Sequence, residues 1–186
     1  MFATKGGRLI DTADISGSGS VCPVTGLPVT RRPEWTDVQL VTGHWTSVDV
    51  IVRYILCSIP RGYVTRTGVA KVNELHRQAI AEAIEPGGPH IHIADYSDFK
   101  GASLDGRRLF SEDVNNREGL AALIFHNASP LFTLSIKLGR RFMKIRAPVE
   151  MTGDHPSAIR RAIEILAENG VEDLPSLDEL PRSGPQ

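Results

Sequence analysis

The fold turns on one stretch, Ile91-His92-Ile93-Ala94-Asp95-Tyr96-Ser97-Asp98-Phe99-Lys100-Gly101-Ala102-Ser103. Residues 91–94 read as a short strand, and the polar turn after them leads to Ser103. A serine there can cap a helix, because its side-chain oxygen accepts from an otherwise unpaired amide. The spacing predicts a helix from Ser103 to about Asn115. A strand, a turn and a capped helix make up half of an α/β unit, and the flanking sequence repeats the pattern. Upstream, Thr65 or Thr67 can cap a helix in which Val69, Val72, His76, Ala79, Ile80 and Ala83 share one face. Pro86-Gly87-Gly88-Pro89 stops it. Downstream, Leu120-Ala121-Ala122-Leu123-Ile124-Phe125 is a nearly unbroken apolar run, as expected of a strand buried on both faces. Ser129-Pro130 opens a predicted helix to about Phe142. A strand through Ala147, Val149 and Met151 follows. Asp154-His155-Pro156 then starts a last helix, which Asn169-Gly170 ends.

Before residue 65 the pattern is β. Val38, Leu40, Val48, Val50 and Val52 keep period two around Thr42-Gly43-His44, and Tyr54 to Ile59 is a second run closed by Pro60 and Gly62. These early strands predict an antiparallel portion. The expected fold class is therefore α/β: a mixed β-sheet flanked by about four helices, with an extended amino-terminal arm. Residues 1–36 form that arm, with flexible Ser16-Gly17-Ser18-Gly19-Ser20 and a small turn or hairpin at Cys22-Pro23-Val24-Thr25-Gly26-Leu27-Pro28-Val29. Residues 37–170 form the α/β domain, and residues 171–186 a tail or linker.

Composition narrows the classes. With 186 residues, one domain plus tails is expected. Hydrophobic residues make up 41% and charged residues 23%, which excludes a disordered chain or a collagen. Lys+Arg 21 against Asp+Glu 22 leaves a formal charge of −1, so no global field draws nucleic acid or anionic lipid. Two cysteines, Cys22 and Cys57, cannot form a disulfide framework and fit a reducing compartment. No apolar run reaches the ~20 residues that span a bilayer, and the first residues lack the apolar core of a secretory signal. A cytoplasmic protein without membrane or nucleic-acid partners is expected.

The carboxyl end of strand 91–94 is where an open α/β sheet gathers ligands. Ser103 lies there beside free amides and the positive end of a helix dipole, which favours an added phosphate. The plain alternative is that Ser103 only caps and Asp95 only ends a strand. His90 and His92, two apart on a strand, share a face. His126, together with Asp95, could join them in a metal- or ligand-binding sensor or enzyme. His76, on an apolar helix face, is expected to be a buried, hydrogen-bonded histidine. Cys57 reads as inert packing, whereas Cys22 beside a proline turn is a candidate for exposure. Gly17-Ser18-Gly19 lies in the flexible arm without the strand-to-helix elbow a nucleophile needs. No P-loop is present. Two basic clusters, Arg107-Arg108 and residues 139–146, read as solvated faces and helix-end caps. No complete catalytic set emerges.

The element order resembles the STAS domain of anti-sigma-factor antagonists and sulfate transporters. In that family an Asp-hydrophobic-Ser turn follows a central strand, and a Ser or Thr opening the next helix is phosphorylated by a partner kinase. Asp95-Tyr96-Ser97 resembles the first element and Gly101-Ala102-Ser103 the second, with Ala102 in place of the family's usual acid. A group of STAS-like amino-terminal domains of bacterial PAS-containing sensor histidine kinases is also similar. The residues in common are Cys22 to Val29, Asp95-Tyr96-Ser97, Gly101-Ala102-Ser103, Asn127-Ala128-Ser129-Pro130 and Ser135-Ile136-Lys137-Leu138. The resemblance covers roughly residues 20–168. It implies a non-enzymatic regulatory or sensory module of two-component signal transduction, the amino-terminal part of a histidine kinase or a standalone relative. The implied partner is a kinase or regulator, with a small ligand or a second copy of the chain as further partners. The implied interaction or phospho site is Asp95, Tyr96, Ser97, Gly101, Ser103, Asn127 and Ser129. No cofactor, metal ligand or catalytic residue is implied.

Overall fold

The computed structural model describes residues 20–22, 25–130, 132–133, 145–178 and 180. Their middle layer is a nine-stranded mixed sheet. Its strands are β1 (Ser20–Val21), β2 (Pro28–Arg31), β3 (Val38–Val41), β4 (His44–Ile51), β5 (Ile55–Val64), β6 (His90–Asp95), β7 (Phe99–Ala102), β8 (Leu120–His126) and β9 (Val149–Thr152). The spatial order is β1-β2-β4-β5-β6-β8-β9, with β3 also on β4 and β7 also on β5. Pairs β1–β2, β2–β4, β3–β4 and β4–β5 are antiparallel; β5–β6, β5–β7, β6–β8 and β8–β9 are parallel. The mixed α/β class is as expected.

Three α-helices are described: α1 (Arg66–Ala83), α2 (Leu104–Asn115) and α3 (His155–Glu168). Thr65, Ser103 and Asp154 cap them, each accepting at its side chain from a first-turn amide. The fourth expected helix, to about Phe142, falls outside the described residues except at its start. There Ser129 Oγ accepts from the Phe132 amide at 3.3 Å, and the Ser129 carbonyl from Thr133 at 2.8 Å. Residues 139–144 of the basic cluster also lie outside. No helix of the described residues is long and apolar enough to cross a membrane.

Strand alternation divides the core. Ile55, Cys57, Ile91, Ile93, Ala122 and Ile124 pack against Ala158, Ile159, Ala162 and Leu166 of α3. On the other face, Val48, Val50 and Leu56 pack on Leu75 and Ala79 of α1, and Leu123 and Phe125 on Val114 of α2. The apolar run of β8 is thus buried on both sides.

Three features differ from the sequence reading. Period two ends at Ile51, because Val52 (φ 47°) and Arg53 (φ 64°) turn the chain in the left-handed region. Strand β5 does not close at Pro60 but runs to Val64. Pro60 lies opposite Thr46 of β4. On its other side it falls in the gap between the β6 pairing, which ends at Ser58, and the β7 pairing, which starts at Gly62, so no β6 or β7 residue stands against it. Finally, residues 95–103 are more than a turn: residues 99–102 double back as β7. In the described part of the arm, Trp35 and Leu27 are buried and Arg31 pairs with Asp49. In the tail, Leu180 is buried and Arg160 donates to the Leu177 and Leu180 carbonyls.

Candidate functional site

Where α1 and α2 cross the carboxyl end of the parallel strands, the sheet is not filled. A cavity of about 110 Å³ lies there. Its floor follows from register. Thr46 is opposite Pro60, Ser58 opposite Ala94, and Ala94 opposite Phe125, so one pleat face carries them all. Val69, Val72 and His76 of α1 form one wall, and Gly106, Arg107 and Phe110 of α2 another. The roof is aromatic. The Tyr96 ring stacks on Phe99 at 4.4 Å between centroids and meets Phe125 at 4.9 Å and Phe132 at 5.0 Å. Stacked and edge-on pairs of this kind hold ring positions beyond what area burial alone supplies.

A polar layer crosses one end of this apolar space. Arg117, with 4% of its side chain exposed, is ion-paired to Asp113 at 2.8 Å, and Asp113 also holds Arg77 at 2.8 Å. Arg117 Nη1 lies 3.1 Å from His92 Nδ1, and Nη2 lies 3.0 Å from His76 Nδ1. A guanidinium can only donate, so both Nδ1 atoms accept and each ring carries its hydrogen on Nε2. Burial first, and nearby cationic or imidazole groups second, push both histidines well below the usual range. They are neutral. His92 Nε2–H then donates to Ser58 Oγ at 2.8 Å. Among the described residues His76 Nε2 has no partner, nor do either ring nitrogen of His44 or the Thr46 hydroxyl. All three residues are buried and line the cavity. Gly68 lets α1 approach this closely, since a Cβ there would sit 2.5 Å from His44 Nδ1.

The residues singled out by sequence separate into three roles. Asp95, Ser97 and Asn127 come together: Asp95 Oδ1 accepts from the Ser97 amide at 2.9 Å and from Asn127 Nδ2 at 3.1 Å. Burial raises the Asp95 carboxyl, but these donors outweigh it and the net shift is downward. Asn127 adopts φ 55°, which its short polar side chain tolerates. Tyr96 turns inward to the roof, and burial raises its phenol. Gly101 (φ 127°) passes the Tyr63 ring. Ser103 and Ser129 are helix caps. Ser103 Oγ accepts from the Gly106 amide at 3.2 Å, and Asp105 Oδ1 accepts from the same amide at 2.9 Å. Only Ser97, Asp98 and Lys100 of residues 95–103 are exposed.

The four-residue metal or enzyme grouping does not assemble. His90 and His92 face α1 and α2. His126 points to the opposite face, where its ring is 5.3 Å from that of His155 on α3. The reason is register: Asp95 pairs with His126, which places His126 in phase with Ile91 and Ile93 rather than with His92. His126 Nδ1 is 3.9 Å from Asp95 Oδ1, an ion pair only if the ring is protonated, and burial depresses its pKa. No three His, Cys, Asp or Glu of the described residues come together as a metal site. His76 is buried and hydrogen-bonded, as expected. Cys22 is buried rather than exposed, its Sγ 3.6 Å from His155 Nε2. Sequence reasoning missed His44, Thr46, Ser58 and Arg117. A usable signal existed: polar residues recur at one pleat phase on successive strands otherwise rich in Val, Leu and Ile.

No family model and no curated protein matches the chain. Among solved structures, it is similar to an uncharacterized DUF3478-family protein with a SpoIIAA-like fold from Shewanella loihica PV-4. That pair has 14% identity and a TM-score of 0.48, over 64% of this chain and 94% of the other. It is also similar to the anti-sigma factor antagonist SpoIIAA in its unphosphorylated form, with 17% identity and a TM-score of 0.44, over 62% and 96%. The chemistry of the site comes from its own side chains.

Proposed function

We propose that this protein is a non-enzymatic regulatory module that holds a small molecule in the cavity and signals its presence through the loop above it. One observation carries this reading: residues 95–103 do two jobs at once. Tyr96 and Phe99 roof the cavity, while Ser97, Asp98 and Lys100 of the same loop face solvent. A ligand that moves the rings moves the surface, and a partner touching the surface senses the ligand. The functional body is residues 37–170, with flanks 1–36 and 171–186 whose described parts pack on it.

The finer form places the module in bacterial signal transduction, in the cytoplasm, beside a histidine kinase or a regulator. The partner surface is residues 95–103 with Asn127 and Ser129. The position of Ser103 at the start of α2 supports phospho-regulation there. Asp105 opposes it, because its carboxylate already takes the Gly106 amide that a phosphate would seek.

The test is an amide NMR titration of the full chain with cyclohexanone. Saturable shifts at Ser97, Asp98 and Lys100 that vanish in a cavity-filling Phe110→Trp variant are expected. Saturation without any change at these three amides would remove the link between cavity and surface.

A further inference from the structure

We propose that the cavity selects a largely apolar molecule without positive charge, of about six to eight heavy atoms and bearing one hydrogen-bond acceptor, to which the His76 Nε2–H donates. The inference rests on the ligand role of the cavity given above and names the chemistry of that ligand.

Size comes first. An apolar cavity of about 150 Å³ accepts benzene, so 110 Å³ holds a single small ring or a short branched chain. The walls disfavour a cation. The described lining residues include the Arg107 guanidinium and no carboxylate. A positive charge brought here would lose its water without a counter-ion.

The acceptor follows from the tautomers. Arg117 donates to both Nδ1 atoms, so His76 and His92 present Nε2–H groups. The His92 hydrogen goes to Ser58 Oγ, which leaves the Ser58 hydroxyl hydrogen free to donate in turn. The His76 and His92 rings sit edge to face at 4.7 Å, Ser58 bonds His92, and all three side chains line the cavity. His76 is 2% exposed, and its Nε2–H has no acceptor among the described residues. A buried donor in that position costs free energy until an acceptor reaches it. A ketone, ester or amide oxygen meets it; a hydrocarbon of the same shape does not. Two donors at one end and aromatic rings at the other orient such a molecule with its oxygen toward α1 and its carbon body under Tyr96 and Phe99.

The experiment compares cyclohexanone with its isostere methylenecyclohexane, on the full chain and on His76→Leu, by calorimetric titration. The expected result is that the substitution weakens the ketone about tenfold and leaves the alkene unchanged or tighter. Because His76→Leu removes an acceptor from Arg117 and can unsettle the fold, the carbonyl stretch of bound cyclohexanone is also read on the unmodified protein. A shift to lower frequency than in an apolar solvent is expected. If both probes bind and the carbonyl stretch stays at its apolar-solvent value, the acceptor inference is overturned while the cavity reading stands. If neither probe binds, both fall.

Discussion

The two faces of this sheet are built from alternate residues of the same strands, yet they differ in kind. Toward α3 the contacts are Ile on Ile and Ala on Ala, with Ile55, Ile91, Ile124, Ile159 and Leu166 at 0% exposure. Toward α1 and α2 the same strands offer Thr46, Ser58, His92 and His90, which meet an ion-paired Arg117 from the end of α2 and a cavity. The difference teaches where each face places its free energy. The α3 face is close-packed and non-directional, so it stabilises without selecting anything. The other face gives up packing for directed hydrogen bonds and a space, and that combination is what recognition of a small molecule requires.

Substitutions can break that contrast. The largest effect is expected from Arg117→Met, which leaves the buried Asp113 carboxylate with Arg77 alone and two imidazoles without their donor. A loss of about 3–5 kcal/mol is expected in urea unfolding, and a loss near zero would mean the polar layer is not a closed network. Ile159→Ala on the dry face should cost about 2–5 kcal/mol through lost contacts and a cavity. Its cost should vary little between pH 7 and 5, since what it removes are methyls of the apolar core shared with Ala158, Ala162 and Ile163. A strong pH dependence there would blur the two faces into one.

Most of the pH dependence comes from the polar face, with His126 on the α3 side adding to it. His90 is pushed down to about 4, by burial first and by Arg117 second, and His76 and His92 are driven low for similar reasons. Below the unfolded value of about 6.5 the unfolded chain binds protons that the folded chain refuses. Stability is therefore full above that value and falls as the pH drops from about 6.5 toward 4, by up to about 1.4 kcal/mol per unit for each such histidine. Urea midpoints at pH 7, 6 and 5 measure it, and His90→Gln should flatten the slope. An unchanged slope would assign the effect to other groups. The smallest effect is expected for Gly68→Ala, whose Cβ would meet His44 Nδ1 at 2.5 Å. Helix propensity gains about 1 kcal/mol while overpacking costs about 1–3. A net loss of about 0–2 kcal/mol, together with weaker cyclohexanone binding, is the expected outcome, and a stabilised protein with unaltered binding would show that His44 yields freely.

Much of the fold was legible. The β8 run, the capping oxygens of Thr65, Ser103 and Asp154, and the breaker at Pro86-Gly87-Gly88-Pro89 all act locally, within a few residues of the signal that announces them. The hairpin at Val52-Arg53 was not legible, because it lacks the Asn-Gly or Asp-Gly that marks such turns, and a β-branched residue in the left-handed region carries no signal of its own. Strand β7 was hidden because Phe99-Lys100-Gly101-Ala102 has neither alternation nor length, and exists through its pairing with Gly62, Tyr63 and Val64. Of the candidate site, Asp95 was singled out by its place at the carboxyl end of a strand, and Ser97 and Asn127 only by the family resemblance. The cavity below them was not, because its floor is assembled from four strands.

What the chain determined by itself is the alternation of strand and helix, the helix starts and the phase of each strand, since all of these depend on neighbours three or four residues away. Only the tertiary structure decided which phases meet. A period of two sets His90 beside His92, but it takes the pairing of Asp95 with His126 to send the third imidazole to the far side of the sheet. It takes the end of α2 to bring a guanidinium from residue 117 onto two rings at 76 and 92. Register and helix placement are settled by long-range burial, and no local rule encodes them.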